Sequence, residues 1–149
     1  STSLFPIPLS LSNENEKNLN IKHFSKLKKN KIKINKIYIN FQRNTNYIRR
    51  NKEFKKLKNK SFVHIDEPNL QLDDYAEQLN SHKFVLCPVG NGIDTHRVWE
   101  TLYSGSVPVV QKHISMSTLE NLNAIEVDDF SSIDINLIDN FIPKKEKLN

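Results

Sequence analysis

An α/β fold, a three-layer α/β/α sandwich around a doubly wound, mainly parallel sheet of about five strands, is predicted by three features of the sequence. From residue 37 onward, short β-branched and aromatic runs alternate with stretches of helical periodicity. The connections between those runs are long enough for crossovers, which parallel strands require and hairpins do not. One run, Phe84-Val85-Leu86-Cys87, is apolar without a break, as a strand covered on both faces must be.

Residues 1–36 read as an N-terminal linker and basic connector, and 37–149 as a Rossmann-like domain. The apolar opening lacks a basic leader and is interrupted by Pro6 and Pro8, so it reads as an extended linker rather than a signal peptide. Ile21, Phe24 and Leu27 stand at the spacing of one short helix. Ile37-Tyr38-Ile39-Asn40-Phe41 predicts the first strand. Asn44 or Thr45 suits the N-cap of a helix over 47–58. Phe62-Val63-His64-Ile65 is the second strand, and Pro68-Asn69 a turn. Leu72, Tyr75, Ala76 and Leu79 form one helical stripe. After the strand at Phe84 a helix is expected over 94–104, closed by Gly105 as its C-terminal cap. Val107-Pro108-Val109-Val110 and Ile125-Glu126-Val127 are the last two strands, separated by a short helix over 117–122. Ser131 or Ser132 is placed to cap a final helix carrying Ile133, Leu137, Ile138 and Phe141.

The formal net charge of +5 comes mostly from two basic runs, 22–36 and 43–60. A basic surplus attracts phosphate, whether of a nucleotide, a nucleic acid or a membrane. Solvated helix and loop surface accounts for the same runs. Aromatic residues are not interleaved with the lysines and no nucleic-acid recognition motif is present, so no nucleic-acid partner is expected. Cys87 is the single cysteine, which excludes an intrachain disulfide and fits a reducing, cytoplasmic setting. No run of about twenty apolar residues suggests a transmembrane segment. The five histidines show no metal-ligand spacing and no cysteine pair supports zinc, so no metal site is expected.

The chemistry concentrates in Cys87-Pro88-Val89-Gly90-Asn91-Gly92-Ile93-Asp94-Thr95-His96-Arg97. A buried strand ends, a loop with two glycines follows, and a helix begins. Gly90 and Gly92 lack Cβ, so the backbone can turn sharply and approach a ligand closely. A helix start presents unpaired amides and the positive end of a dipole, which suits phosphate. Thr95 stands where a dinucleotide fingerprint would have its third glycine. A plain tight turn with Asp94 or Thr95 as N-cap fits equally. Arg97 and Glu100 lie three apart on one face, off the apolar stripe of Val98, Trp99, Leu102 and Tyr103. They read either as a surface ion pair or as a guanidinium for a diphosphate beside a carboxylate for the cis-diol of a ribose. Arg43 at the end of the first strand is a further phosphate candidate. Arg49 and Arg50 read as surface, with one of them able to face the cleft, and His64 with Asp66 as a lining of a base pocket. Cys87 reads as a buried small apolar group. Asp128 and Asp129 read as solvated strand-end residues, with a cation or a sugar hydroxyl as the alternative ligand reading.

Phe84-Val85-Leu86-Cys87-Pro88, Gly90 to Arg97, Trp99-Glu100, Leu102, Gly105 and Pro108-Val109-Val110 together resemble the C-terminal domain of exostosin-like glycosyltransferases, over residues 84–110. More loosely the segment is similar to the GT-B class. The resemblance implies the Rossmann-like, nucleotide-sugar-binding half of a GT-B enzyme that moves a sugar from a nucleotide-diphosphate sugar to a carbohydrate or other hydroxyl acceptor. It implies that Arg97 and the backbone of Gly90, Asn91, Gly92 and Thr95 hold the diphosphate, with Arg43 nearby, and that Glu100 holds the ribose. Asp94 and Arg97 would be the catalytic pair, with Asp94 approaching the sugar or capping the helix. It further implies an N-terminal acceptor-binding domain as partner, no tightly bound cofactor and no metal requirement. Val89 stands where many relatives carry arginine. A non-catalytic nucleotide- or phosphate-binding module is the alternative reading, and a basic nucleic-acid-binding domain a more distant one.

Overall fold

The computed structural model describes residues 19, 22–23, 32–41, 47–67, 69–89 and 96–144. Five strands, β1 (Ile34–Ile39), β2 (Val63–Ile65), β3 (His82–Leu86), β4 (Val107–Gln111) and β5 (Ile125–Val127), form one sheet in the order β2-β1-β3-β4-β5. Every pairing is parallel. Helices α1 (Tyr47–Leu57), α2 (Leu72–Ser81), α3 (His96–Tyr103) and α4 (Ile135–Asp139) connect and cover it, with 3-10 helices over Ile114–Leu119 and Phe130–Ser132. The predicted α/β class and doubly wound sheet are both present.

Alternation along each strand builds a core on each face. One face presents Ile37, Ile39, Phe84, Leu86, Val107, Val109, Ile125 and Val127 to Leu57 of α1 and Ile138 of α4. The other presents Tyr38, Val85 and Val110 to Tyr75, Ala76 and Leu79 of α2, Val98 of α3, and Met116 and Leu119 of the first 3-10 helix. Leu19, 1 % exposed, packs into this second core.

Several element bounds differ from those expected, each for a local reason. β1 begins at Ile34 because its first three residues are exposed, and an apolar run marks only the covered half. β3 likewise begins at His82, two polar residues before the apolar run. The segment expected to be helical over 117–122 is the 3-10 helix Ile114–Leu119, where serine and threonine side chains compete with backbone hydrogen bonding. The last helix is capped by Asp134, whose carboxylate accepts from the Leu137 amide, not by Ser131 or Ser132. Those serines lie in the 3-10 turn that Asp129 caps. Gly105 ends α3 at φ 77°, the left-handed conformation that a C-terminal cap needs. Of the expected early helix, Lys22 and His23 are helical, and Ile21, Phe24 and Leu27 lie outside the described residues. So do the cap candidates Asn44 and Thr45, and Pro68 of the expected turn.

Lys33 joins two helix ends. Its ammonium donates to Asn80 O at 2.5 Å, in the last turn of α2, and to Ser104 O at 3.0 Å, just past α3. A cation there satisfies orphan carbonyls and opposes the negative ends of two dipoles. Replacing it by methionine keeps the aliphatic stem but removes both bonds. Lys33→Met is expected to lower unfolding free energy by about 1–2 kcal/mol in urea titrations, with an unchanged m-value.

Candidate functional site at the strand-order reversal

From β1 the chain steps outward to β2, and after β3 it proceeds the other way to β4 and β5. In such a sheet the crevice at the carboxyl ends of the two strands flanking the reversal, here β1 and β3, is where ligands sit. Three helices start at this edge, because each follows a strand that ends there: α1 after β1, α2 after β2 and α3 after β3.

Arg97 lies in the first turn of α3 and Tyr75 in that of α2. The Arg97 guanidinium rests 5.2 Å from the centre of the Tyr75 ring, and its Nη1 donates to the Tyr75 hydroxyl at 2.7 Å. That hydroxyl donates in turn to Glu100 Oε2 at 3.2 Å. Arg97 and Glu100 are therefore brought together as expected, but through a phenol, and Glu100 is buried, only 6 % exposed, rather than on the surface. Burial pushes the Glu100 carboxyl above its usual range, against the pull of Arg97. Burial works against the charge on Arg97, yet the facing Tyr75 and Glu100 outweigh it and hold the guanidinium protonated. Burial also drives the Tyr75 phenol well upward, so it stays a neutral hydroxyl. Thr101 Oγ1 donates to Arg97 O at 2.7 Å and steadies the turn.

Sequence reasoning placed Tyr75 in the core stripe, and its ring is there. Its polar tip was missed. A tyrosine within an apolar stripe is itself a signal, since a buried hydroxyl needs a partner.

A second polar chain runs beside the first. Tyr38 on β1 donates to Asp66 Oδ2 at 3.0 Å, Asp66 Oδ1 lies 3.6 Å from His64 Nε2, and His64 Nδ1 meets His82 Nε2 at 2.7 Å. Nδ1 of His82 reaches Gln78 O at 2.8 Å, and its ring stacks on Tyr38 at 4.8 Å. Burial pushes His82 down and Tyr38 up, so both are neutral. His64 and Asp66, candidates for a base pocket, are thus tied into this chain. Asn40, at the end of β1, donates to Glu67 O at 2.9 Å.

Arg50 is not a surface residue. It is buried, with Nε donating to Val89 O at 2.9 Å and Nη2 to Pro88 O at 3.5 Å, and with its guanidinium 5.4 Å from the Phe41 ring. The carbonyls at the end of β3 need donors, and α1 begins close enough to supply one. A guanidinium therefore stands at Val89 although position 89 itself carries none. Arg49 donates to Gln111 Oε1 at the end of β4 and pairs with Glu53 at 3.5 Å. Glu53 is buried, and its Oε2 has no hydrogen-bond partner among the described residues. Its carboxyl is pushed up by that burial. Asp128 lies 3.6 Å from Lys112. Asp129 takes the Ser131 amide at 2.7 Å and Lys56 at 3.2 Å, and the Ser131 bonds hold its carboxyl well below the usual range. Both aspartates are exposed strand-end residues, as read.

Arg43, Gly90, Asn91, Gly92, Asp94 and Thr95 lie outside the described residues, which resume at His96. Among the described residues, no group of three or more His, Cys, Asp or Glu side chains is placed to hold a metal ion. No helix there is long and apolar enough to cross a membrane.

A parallel sheet in this order, covered on both faces and carrying a buried charged cluster at its reversal, defines a Rossmann-like α/β domain. The family model for the RXYLT1 C-terminal domain matches residues 34–128, from the first residue of β1 to just beyond β5. The chain belongs to that family, a C-terminal domain of exostosin-type glycosyltransferases. A search of curated proteins returned no match.

Cys87 closes β3 beneath this cluster. It is 3 % exposed, and burial pushes its thiol up to about 12. A thiolate is the reactive form. The folded protein is expected to resist Ellman's reagent near pH 8, about where an ordinary thiol begins to ionise, and to react with one equivalent once unfolded in guanidinium. Rapid labelling of the native protein would show that the end of β3 is open.

Proposed function

We propose that this domain binds the nucleotide-diphosphate sugar in a glycosyl transfer, with the diphosphate at the start of α3. The observation that supports the reading most is the Arg97–Tyr75–Glu100 cluster at the carboxyl edge of a doubly wound sheet, in a chain of glycosyltransferase lineage.

Arg97 spends one of its donors on Tyr75, and a guanidinium has about five in a planar fork. The remaining donors suit two oxygens of a diphosphate. Amides of Gly90, Asn91, Gly92 and Thr95 complete the cradle, with Arg43 as a further cation. Glu100 accepts from the hydroxyls of the ribose, and Asp94 faces the sugar or caps α3.

As the glycosidic bond breaks, negative charge grows on the departing diphosphate. The dipole of α3 and the Arg97 cation are already oriented toward it and need no rearrangement, which is how preorganised charge lowers a barrier. No bound metal is required in this scheme. The acceptor, a carbohydrate or other hydroxyl compound, and the base that deprotonates it belong to an N-terminal domain. The chain by itself then binds donor but turns over little.

Calorimetry with UDP, GDP and CDP tests this. Arg97→Ala is expected to weaken diphosphate binding about ten- to a hundredfold, the loss of a charge-assisted contact of about 1.5–3 kcal/mol, and to leave the free nucleosides unaffected. Equal affinity in wild type and Arg97→Ala would sink the reading. Glu100→Gln should weaken binding and yet stabilise the fold at neutral pH. The carboxyl titrates higher when folded than when unfolded, so ionisation counts against the folded state. The gain from glutamine is therefore full above the folded midpoint and vanishes as pH falls below the usual carboxylate range. Thermal melts across pH measure it.

A further inference from the structure

We propose that Tyr75 is a positioning residue that keeps Arg97 and Glu100 from closing on each other. It thereby sets a preference of this site for ribonucleoside diphosphates over their 2′-deoxy counterparts. The inference rests on the donor-site reading above.

Arg97 and Glu100 are three residues apart on one helix, a spacing at which a cation and a carboxylate are neighbours and pair. Here a phenol from a different helix occupies the gap. Its oxygen lies 2.7 Å from Arg97 Nη1 and 3.2 Å from Glu100 Oε2. A guanidinium only donates, so the hydroxyl must accept from Arg97, which leaves its own proton for Glu100. The phenol does both with one oxygen at the tip of a rigid ring. Phenylalanine would do neither. The ring adds a second constraint, because the guanidinium lies over it at 5.2 Å, which fixes the plane of the fork. Tyr75 is itself 9 % exposed and sits in the core with Ala76 and Leu79, so the spacer does not yield.

The separation matters because the two charges serve different parts of one ligand. A closed ion pair would satisfy Arg97 and Glu100 internally and offer little to either a diphosphate or a diol. Held apart, the cation keeps donors for phosphate, and the carboxylate keeps Oε1 for sugar hydroxyls. Glu100 is buried, so a ligand that cannot supply the 2′-hydroxyl leaves a desolvated carboxylate poorly paired, and that discriminates strongly against it.

Tyr75→Phe removes one oxygen and keeps the ring and its packing. Two measurements on the full chain decide the matter. The first is calorimetry with UDP, GDP and CDP against the corresponding 2′-deoxynucleotides. The variant is expected to bind the ribonucleotides about tenfold more weakly, with the ribo-over-deoxy preference reduced to near unity. A merely structural role would weaken both sugars alike, and a preserved preference overturns the proposal. The second needs no ligand: the Glu100 carboxyl is followed through a pH titration by carbon-13 NMR. The groups facing it are Tyr75, Arg97 and His96. If the tyrosine is a spacer, its loss lets Arg97 close directly on Glu100, and the midpoint moves down. If it is not, only a hydrogen bond is lost and the midpoint moves up, which overturns the proposal. Failure of wild type to bind any nucleotide would count against the donor-site reading and the sugar preference together, and the titration would still judge the spacer on its own.

Discussion

The reversal of strand order between β1 and β3 governs everything else in this domain. Because all strands run parallel, every one of them ends at the same edge, and every following helix starts there. The reversal sends α1 to one face and α2 and α3 to the other. The carboxyl ends of β1 and β3 are flanked by three helix starts. Side chains in the first turns of α1, α2 and α3 then meet in the same place: Arg50 with the Pro88 and Val89 carbonyls, and Tyr75 with Arg97. The apolar faces of the sheet exist to hold that edge in register.

Charge is buried here at a cost that packing alone would not accept. Glu100 and Glu53 are both pushed upward by desolvation, and Glu53 keeps an oxygen without a partner among the described residues. Replacing such groups by well-packed apolar ones is often neutral or stabilising in proteins. Their presence at the edge where ligands bind in this architecture, and among the described residues not at the opposite one, fits a domain selected for what it holds rather than for stability alone. The opposite edge shows the contrast. There the charged Lys33 satisfies two helix ends and has a plain structural task.

Most of the architecture was legible in the sequence because burial on two faces leaves a mark. Phe84-Val85-Leu86 and Val107-Pro108-Val109-Val110 read as strands since no solvent-facing residue interrupts them, and the stripe of Leu72, Tyr75, Ala76 and Leu79 fixed α2. What was not legible follows a rule. Ile34–Lys36 and His82–Lys83 belong to strands but carry polar or exposed residues, so apolar runs understate the strands. Arg50 read as surface because arginines usually are, and its burial depends on carbonyls thirty-eight and thirty-nine residues away in the chain. Arg97 and Glu100 stood out through their spacing and the resemblance. Tyr75 did not, because helical periodicity records which way a ring points and says nothing of what its oxygen touches.

The bonds from Arg50 to the backbone of Pro88 and Val89 make a mechanical link of α1. The helix and the residues that follow β3 share a guanidinium, so neither can shift without breaking these bonds or dragging the other. The exposed Tyr47 and Ile48 stand at the head of that helix, within a turn of Arg50, so the linkage runs from the protein's surface to the end of β3.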